Sequence, residues 1–301
     1  MDTPKSQDSK TGGEQYPTRT IVFFCMPSTG KSYFTNLFTE KVGPHAEIRN
    51  ISKDTVSVPM LSEYKAKHPE LSFGKCYLDI KEDMNLAFDK LSIEALRKLN
   101  SDPHDKAHPP VLIIDDVKTK KRLVKMLANE SKEVIAVYPK VTTSQKLPNY
   151  PFSSQLILTL AARVLERQGH ETLNDENYPP AVKLQILLSF ILKYKGLKSM
   201  TEIFKIDKVR FVPVEFHNEL VLTKEEIDEP VQKIYEQISL CVEKMEEPFE
   251  EPFVKGRAEV EKLVEMIREL KSQQPEIYKK YVGYAKPGLW DSFYSLMTTK
   301  Q

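Results

Sequence analysis

The feature that most constrains the fold is the stretch of residues 20–38, TIVFFCMPSTGKSYFTNLF. It opens with an apolar run over residues 21–26 that is rich in β-branched and aromatic side chains. Such a run is typical of a strand that is buried on both faces of a parallel sheet. The run breaks at residues 27–30, and apolar residues then return at helical spacing. The stretch therefore predicts a strand, a tight turn and a helix, which together form a unit of an α/β fold.

The turn between this strand and this helix carries a Gly-Lys-Ser sequence, which is the second half of a phosphate-binding P-loop. A turn of this kind points backbone N–H groups and the positive end of a helix at an anion. The residues predicted to bind the phosphates of a nucleotide are Ser28, Thr29, Gly30, Lys31 and Ser32. Among them, Lys31 would reach the β- and γ-phosphates, and the hydroxyl group of Ser32 would hold Mg²⁺.

The composition gives no global charge signal and indicates a reduced compartment. With 44 basic and 43 acidic residues the formal net charge is +1, so any surface for nucleic acid must be local. The three cysteines lie far apart and form no CxxC pair, which argues against disulfides and zinc. The N-terminal sequence lacks the apolar core of a signal peptide, and no apolar run approaches the roughly 18 residues of a membrane span. We therefore expect an intracellular protein, cytoplasmic or nuclear, that is not secreted and does not enter a membrane.

Changes in composition divide the chain into three predicted parts. Residues 1–18 are polar and are expected to form a disordered tail. Residues 19–245 alternate strand and helix patterns and are expected to form the main domain. Residues 246–301 begin with EEPFEEPF, a linker pattern, and continue as a helical, aromatic extension. This extension either packs back on the main domain, which we favour, or binds a protein partner.

Carboxylates follow two further predicted strands. Asp54 lies at or just past the end of a short second strand, while Asp115 and Asp116 end the apolar run VLIIDD. Ligands of open α/β sheets bind at the carboxyl ends of the strands. Asp54 is the best candidate for a general base, provided that its strand lies next to the strand that leads into the P-loop. Asp115 and Asp116 are alternatives for base, Mg²⁺ or substrate contact, or they form a solvated strand end.

Two groups of basic residues are candidates for contacts with phosphates. Arg163 and Arg167 lie four residues apart on a predicted helix and share one face, which suits a lid that holds the γ-phosphate but is also common on solvated surfaces. The KTKKR sequence at residues 118–122 opens the helix that follows Asp116. It either contacts the phosphates of an acceptor or forms a solubilising helix face, and alone the second interpretation is the stronger.

The order of these motifs resembles the central kinase domain of fungal tRNA ligases over about residues 19–245. That domain has an apolar strand leading into a GK[ST] loop, a carboxylate after the second strand and a strand that ends in Asp. Its lid signature has two arginines four apart, followed by Gly-Asn-Asn-His-Gln or Gly-Asp-Asn-His-Gln. The matching stretch is ARVLERQGHETL, residues 162–173, with one residue deleted before His170. The family also carries a small residue at the first loop position, where this chain has Cys25.

The resemblance implies a P-loop NTPase-type three-layer sandwich with a mostly parallel central sheet, here followed by a helical C-terminal extension. It implies phosphorylation of the 5′-hydroxyl end of an RNA, such as a tRNA fragment, with Mg²⁺ and with GTP or ATP as donor, GTP being preferred in the family. Carried over by position, Asp54 is the general base and Arg163 and Arg167 form the lid clamp. The residues expected near the RNA terminus are Asp115, Asp116 and Lys118, and His170 lies where the nucleobase is read.

Three features of the sequence depart from the family pattern. Ser28 stands where the family often has Gly. The strand-end motif reads Asp-Asp-Val-Lys from Asp115 to Lys118, where the family has Asp-Arg-Asn-Asn-His. Glu171 replaces the Gln of the lid turn. Two other functions therefore stay open: a P-loop phosphotransferase that acts on a small metabolite, and a degenerate nucleotide-binding module that acts through its aromatic tail.

Overall fold

The computed structural model describes residues 17–104, 107–117, 119–140, 154–167, 178–193, 202–203, 205–215, 229–244 and 257–282. Five strands form one sheet in the order β2-β3-β1-β4-β5, and all four neighbouring pairs are parallel. The strands are β1 (Arg19–Phe23), β2 (Glu47–Ser52), β3 (Pro110–Asp115), β4 (Glu133–Lys140) and β5 (Val209–Glu215). The predicted α/β fold with a parallel central sheet is confirmed.

Nine helices accompany the sheet in the part of the chain that the structure describes. They are α1 (Lys31–Val42), α2 (Asp54–Lys67), α3 (Phe73–Ser101), α4 (Lys121–Glu130), α5 (Ser154–Glu166), α6 (Pro180–Lys193), α7 (Glu229–Lys244), α8 (Arg257–Gln273) and α9 (Pro275–Val282). None of these described helices has both the length and the apolar composition that crossing a membrane requires.

The sheet is covered on both faces, and β1 shows how the sequence produces this. Because successive side chains of a strand point to opposite faces, Val22 and Phe24 pack against α3 and α4, whereas Ile21 and Phe23 pack against α1. Each of these four side chains is at most 3% exposed, which explains the continuous apolar run. The three layers therefore place the end of β1 at the centre of the molecule.

Apart from the side chains packed on the sheet, a separate hydrophobic cluster lies among the helices of the C-terminal half. It contains buried side chains from α5, α6, α7, α8 and α9, together with Met26 from the segment that follows β1. The apolar stripe of α8 belongs to it, with the buried residues Val260, Leu263, Val264, Ile267 and Leu270. These helices of the predicted C-terminal extension thus pack against α5, α6 and α7. The predicted boundary at 245–246 and the aromatic residues after 282 lie outside the described residues.

The sequence prediction is least accurate between β2 and β3. The spacing of apolar residues predicts an amphipathic helix over residues 81–99. In the structure α3 begins earlier, at Phe73, after the capping residue Ser72, whose side chain accepts a hydrogen bond from the Lys75 N–H. The stretch 55–80 carried no prediction, and most of it forms α2 and the first turns of α3. The apolar residues of α2 do not gather on one face, and Pro59 lies inside it, so this helix carries no periodic signal.

Candidate functional site

The site is built around the loop that joins β1 to α1. Ser28 and Gly30 both have positive φ, 63° and 89°, in the left-handed region. Gly30 immediately precedes α1, whose first turn contains no acidic residue, and no side chain of the described residues caps this helix end. The backbone N–H groups of the first turn are therefore available to an external anion. The conformation of the loop fits the predicted phosphate site.

The loop is braced by its own hydrogen bonds and by the neighbouring strand. The hydroxyl group of Thr29 donates to the carbonyl of Met26 at 2.8 Å, and the N–H of Cys25 donates to the carbonyl of Val117 at 2.9 Å. The buried Oγ of Ser28, in contrast, has no hydrogen-bond partner among the described residues. A rigid loop with an unsatisfied hydroxyl group is suited to a ligand that accepts hydrogen bonds.

The three predicted carboxylates converge at the carboxyl edge of the sheet. β2 and β3 are paired in register with Ser52 beside Asp115, so Asp54 and Asp116 follow at neighbouring strand ends. The N–H of Lys53 donates to the carbonyl of Asp115 at 3.0 Å and ties the two ends together. The condition attached to Asp54 as general base, that its strand lie next to β1, is not met, because β3 lies between β2 and β1. Strand pairing depends on contacts distant in sequence, which a local pattern does not encode.

Lys31 lies at the centre of this arrangement. Its ammonium group forms an ion pair with the carboxylate of Asp115, from the neighbouring strand β3. Burial lowers the pKa of Lys31 below its ordinary value of 10.5, while the nearby Cys25, Asp116 and Asp54 favour its charged form. Asp54 therefore acts electrostatically on Lys31 even though β3 separates their strands. An anion in the loop would add a further partner for the buried ammonium group.

The two arginines of α5 lie beside the same loop. The Nη1 atom of Arg163 donates to the carbonyl of Ser28 at 3.4 Å. Arg167 follows the last residue of α5 and interacts electrostatically with Asp54 and Lys31. Burial lowers the pKa of both guanidinium groups from 12.5. The structure thus brings Arg163 and Arg167 from the helical half of the molecule to the loop between β1 and α1.

The basic segment after β3 has a different environment. Arg122 forms an ion pair with Asp89, its Nε atom lying 3.1 Å from the carboxylate, and Lys121 pairs with Glu202 at 2.6 Å. Lys120 lies 3.6 Å from the carboxylate of Glu82. These three cations are therefore compensated within the protein. Lys118 and His170, both predicted to contact ligands, lie outside the described residues.

Two residues that the sequence analysis did not select lie next to Asp54. The Nζ atom of Lys53 is 3.6 Å from Oδ2 of Asp116. Tyr77 of α3 interacts electrostatically with Lys53, Asp116 and Asp54, and burial raises the pKa of its phenol. Lys53 had a signal in its position directly before Asp54 at a strand–helix turn. Tyr77 lies in the stretch without a periodic pattern, and nothing in the sequence pointed to it.

The topology explains why the loop, Lys31 and the carboxylates lie together at the carboxyl edge of the sheet. The connection after β1 leads to β2 on one side of the sheet, and the connection after β4 leads to β5 on the other. β1 and β4 are neighbours, so the chain diverges between them. In open α/β sheets, ligands bind outside the carboxyl ends of the strands at such a point. The loop that follows β1 occupies this position.

Comparison with known proteins finds solved structures with a remote likeness and no sequence relative. No protein family matches the sequence of the chain, and no curated protein matches it. The crystal structure of a gluconokinase from Sinorhizobium meliloti 1021 is similar over 77% of this chain and 99% of that one, with 15% identity and a TM-score of 0.35. The crystal structure of a fungal RNA kinase is similar over 95% and 100%, with 13% identity and a TM-score of 0.38. Identities this low do not carry a substrate from one protein to another.

Proposed function

We propose that the chain is a P-loop phosphotransferase that moves the γ-phosphoryl group of a nucleoside triphosphate to a hydroxyl group. The observation that carries this proposal is a loop with an uncapped helix start that holds Lys31 paired with Asp115, is contacted by Arg163, and lies at the same edge of the sheet as Asp54. Phosphoryl transfer depends on positioning and on compensation of charge more than on covalent chemistry. The groups needed for both are present at one edge of the sheet.

On the donor side, the loop and the cations receive the triphosphate. Lys31 exchanges its ion pair with Asp115 for the β- and γ-phosphates, and its low-dielectric surroundings strengthen that contact. Arg163 and Arg167 compensate the charge on the transferring group. The hydroxyl group of Ser32 and the carboxylate of Asp115 are hard oxygen ligands that suit Mg²⁺, which neutralises phosphate charge when it is bound.

On the acceptor side, Asp54 is the general base. It begins α2 directly after β2 and interacts electrostatically with Lys31 and Arg167, the cations of the donor side. Its carboxylate would accept the proton of the attacking hydroxyl group as the new P–O bond forms. Asp116 lies at the end of the adjacent strand β3, in the position from which a side chain could orient the acceptor.

The acceptor that we propose is the 5′-hydroxyl end of an RNA, a tRNA fragment included, with GTP or ATP as donor. The resemblance of residues 162–173 to the lid of fungal tRNA ligase kinases supports this choice. So does the contact between Arg163 and the loop carbonyl of Ser28, because a lid arginine must reach the phosphates. In this proposal Lys118 contacts the RNA end and His170 reads the nucleobase of the donor. Such an activity would take place in the cytoplasm or the nucleus.

One observation favours a second candidate, a phosphotransferase for a small hydroxylated metabolite. Lys120, Lys121 and Arg122 are compensated by acidic side chains, so this face offers less free positive charge to an RNA than its sequence suggests. Binding to nucleic acid phosphates draws on uncompensated cations. A small acceptor would use the same donor residues and the same base without this face.

The test is transfer of label from γ-labelled GTP, and separately ATP, to a short RNA with a 5′-hydroxyl end. Label on this RNA, and none on the same RNA with a 5′-phosphate, is the expected result. Asp54→Ala should lower kcat by about 10²- to 10⁴-fold, the usual contribution of a general base. Lys31→Ala should abolish transfer by removing the cation that contacts the β- and γ-phosphates.

A matched control is Lys67→Ala, which removes an exposed lysine at the far end of α2 and should leave transfer unchanged. Transfer to small polyols but to neither RNA nor DNA would overturn the RNA acceptor and support the second candidate. Nucleotide binding without transfer to any hydroxyl group would overturn the phosphotransferase proposal. It would indicate a nucleotide-binding module and direct attention to what the C-terminal extension binds.

A further inference from the structure

The acceptor side of the site carries a cation that neither the motif nor the resemblance assigns. Lys53 lies between the end of β2 and the start of α2, one residue before Asp54. Its backbone N–H donates to the carbonyl of Asp115 at 3.0 Å, which fixes the position of its main chain. Its side chain is 24% exposed and so still reaches solvent in the crevice. The ammonium group is thus held at the edge of the sheet but not enclosed.

Lys53 and Lys31 occupy opposite sides of the carboxylate pair. The strand order β2-β3-β1 places Asp115 and Asp116 between the two lysines. Lys31, which follows β1, pairs with Asp115, and Lys53, which follows β2, pairs with Asp116. The carboxylates of β3 therefore divide the edge into a donor side with the phosphate loop and an acceptor side with Asp54.

The ion pair between Lys53 and Asp116 is loose. Its Nζ–Oδ2 distance is 3.6 Å, longer than the roughly 2.7–2.9 Å of a charge-assisted hydrogen bond. The ring centroid of Phe88 lies 6.0 Å from the same Nζ atom, so the ammonium group has an aromatic face on one side. A lysine side chain has several rotatable bonds, and a second anion can draw it from such a partner without moving the backbone.

The electrostatics of the site require a cation at this place if the acceptor is anionic. Asp54, Asp115 and Asp116 bring up to three negative charges to one edge, and they repel an acceptor that carries phosphate. Lys31 and the two arginines compensate charge on the donor side. Lys53 follows β2 and pairs with Asp116, so among the described cations near Asp54 it lies on the far side of the carboxylates from Lys31.

We propose that Lys53 binds a phosphate group of the acceptor next to the hydroxyl group that is phosphorylated, releasing Asp116 as it does so. The inference rests on the proposed function and specifies its acceptor as a molecule with a free hydroxyl group and a neighbouring phosphate. In a polynucleotide this is the first internucleotide phosphate after the 5′-hydroxyl end. Lys53 is then the residue that distinguishes such an acceptor from a neutral alcohol.

The experiment compares two minimal acceptors, uridine 3′-phosphate and uridine, both with a free 5′-hydroxyl group. The wild-type protein should prefer uridine 3′-phosphate by about 10- to 100-fold in kcat/KM, the range expected for one charge-assisted contact. Lys53→Met keeps the length of the side chain and removes its charge, so the preference should disappear while the affinity for the nucleotide stays the same. Lys53→Arg should restore most of the preference.

Lys67→Met is the matched control, because Lys67 is on α2 in an exposed ion pair with Glu63, and it should behave as the wild type. A preference that survives in Lys53→Met would overturn the inference. So would an equal loss for both acceptors, because that is what a purely structural ion pair with Asp116 predicts.

A binding measurement separates this inference from the proposed function. Calorimetric titration of uridine 3′-phosphate, with a non-hydrolysable nucleotide present, needs no turnover. Binding that depends on Lys53 but leads to no transfer would support the inference and overturn the proposed function. Transfer with a phosphate preference that is independent of Lys53 would do the reverse. Absence of both binding and transfer would overturn both.

Discussion

Ser28 and Gly30 show how single residues set the shape of the phosphate loop. Both have positive φ, but only glycine adopts this region without steric cost. For Ser28 the contact between Cβ and the backbone costs about 1–2 kcal/mol. The family that the sequence resembles often has glycine at the Ser28 position, and a left-handed backbone is a physical reason for it. The loop keeps its shape here in spite of that cost.

Exchanging the residue type at these two positions should have opposite effects on stability. Ser28→Gly should raise the free energy of unfolding by up to about 1 kcal/mol, because it relieves the left-handed strain. Gly30→Ala should lower it by about 1–2 kcal/mol through the backbone alone, since an added Cβ would meet no atom within 4 Å. Urea denaturation measures both. A loss of stability in Ser28→Gly would show that the side chain of Ser28 makes a contact worth more than the strain.

The site residues that the sequence predicts are those whose role depends on a local pattern. Lys31 follows from strand, glycine and helix, and Asp54 follows from the end of a strand. The role of Lys53 depends on its pairing with Asp116 and that of Tyr77 on the packing of α3, so no motif marks either residue, although Lys53 directly precedes Asp54. The acidic partners of residues 120–122 are distant in sequence for the same reason. The sequence shows that residues 120–122 are basic, but it does not show which acidic side chains pair with them.

At the scale of elements, the arginine-bearing end of α5 is attached to the C-terminal helices. Glu166, between Arg163 and Arg167, forms an ion pair with Lys271 of α8 and accepts a hydrogen bond from the hydroxyl group of Tyr278 of α9 at 3.0 Å. The Nζ atom of Lys271 also lies 5.5 Å from the ring centroid of Tyr278. Two helices remote from the sheet thus hold the end of the helix that brings the arginines to the loop.

Removing the charge of Glu166 should lower stability in a pH-dependent manner. The hydrogen bond from Lys271 lowers the pKa of Glu166 below its ordinary value of 4.5, with Tyr278 adding to the effect. A carboxyl group whose pKa is lowered in the folded state stabilises the fold at pH values above its ordinary pKa of 4.5. This contribution is lost as the pH falls through the lower, folded-state pKa. Glu166→Gln should therefore cost about 1 kcal/mol at pH 7 and clearly less at pH 3. Denaturant titrations at both values measure the difference.

Glu276→Gln is the control for this prediction, because Glu276 pairs with Lys279 on the exposed surface of α9 and its removal should have little effect at either pH. A cost of Glu166→Gln that is equal at pH 7 and pH 3 would mean that packing, and not charge, holds the end of α5.

The elements themselves were predictable to the extent that their burial is one-sided or continuous. β1, β3 and β4 are covered on both faces and appear in the sequence as continuous apolar runs. α8 is covered on one side and appears as a single apolar stripe with helical spacing. α2 has no such stripe: its buried Leu61 packs in a small cluster with Met84 of α3, and its partly buried Val56 packs against the cluster on the sheet. The position of β2 at the edge, next to β3, depends on how all the strands pair, so the sequence of no single strand predicts it.

At the scale of the molecule, three hydrophobic clusters meet just before the loop that joins β1 to α1. Two of them cover opposite faces of the sheet, and the third joins α5 to α9. Phe24 and Cys25 belong to the two sheet clusters, and the next residue, Met26, belongs to the helical cluster and is 1% exposed. The segment that leads into the loop is therefore attached to all three clusters. The sequence analysis favoured an extension over residues 246–301 that packs back on the main domain, and its described helices α8 and α9 share a buried cluster with α5.

This shared cluster predicts that the helical half and the sheet unfold together. Leu263 of α8 is fully buried, so Leu263→Ala should lower the free energy of unfolding by about 2–5 kcal/mol, the range for removal of a core leucine side chain. Leu240 of α7 is 45% exposed, and Leu240→Ala, the matched control, should cost far less. If the clusters cooperate, both variants will show a single transition by circular dichroism, and Leu263→Ala will shift all of it. Two transitions, with only one moved by Leu263→Ala, would mean that the C-terminal helices are an independent unit. The arginines of α5 would then be held by a part of the chain that can unfold while the phosphate loop stays intact, and nucleotide binding would survive the first transition.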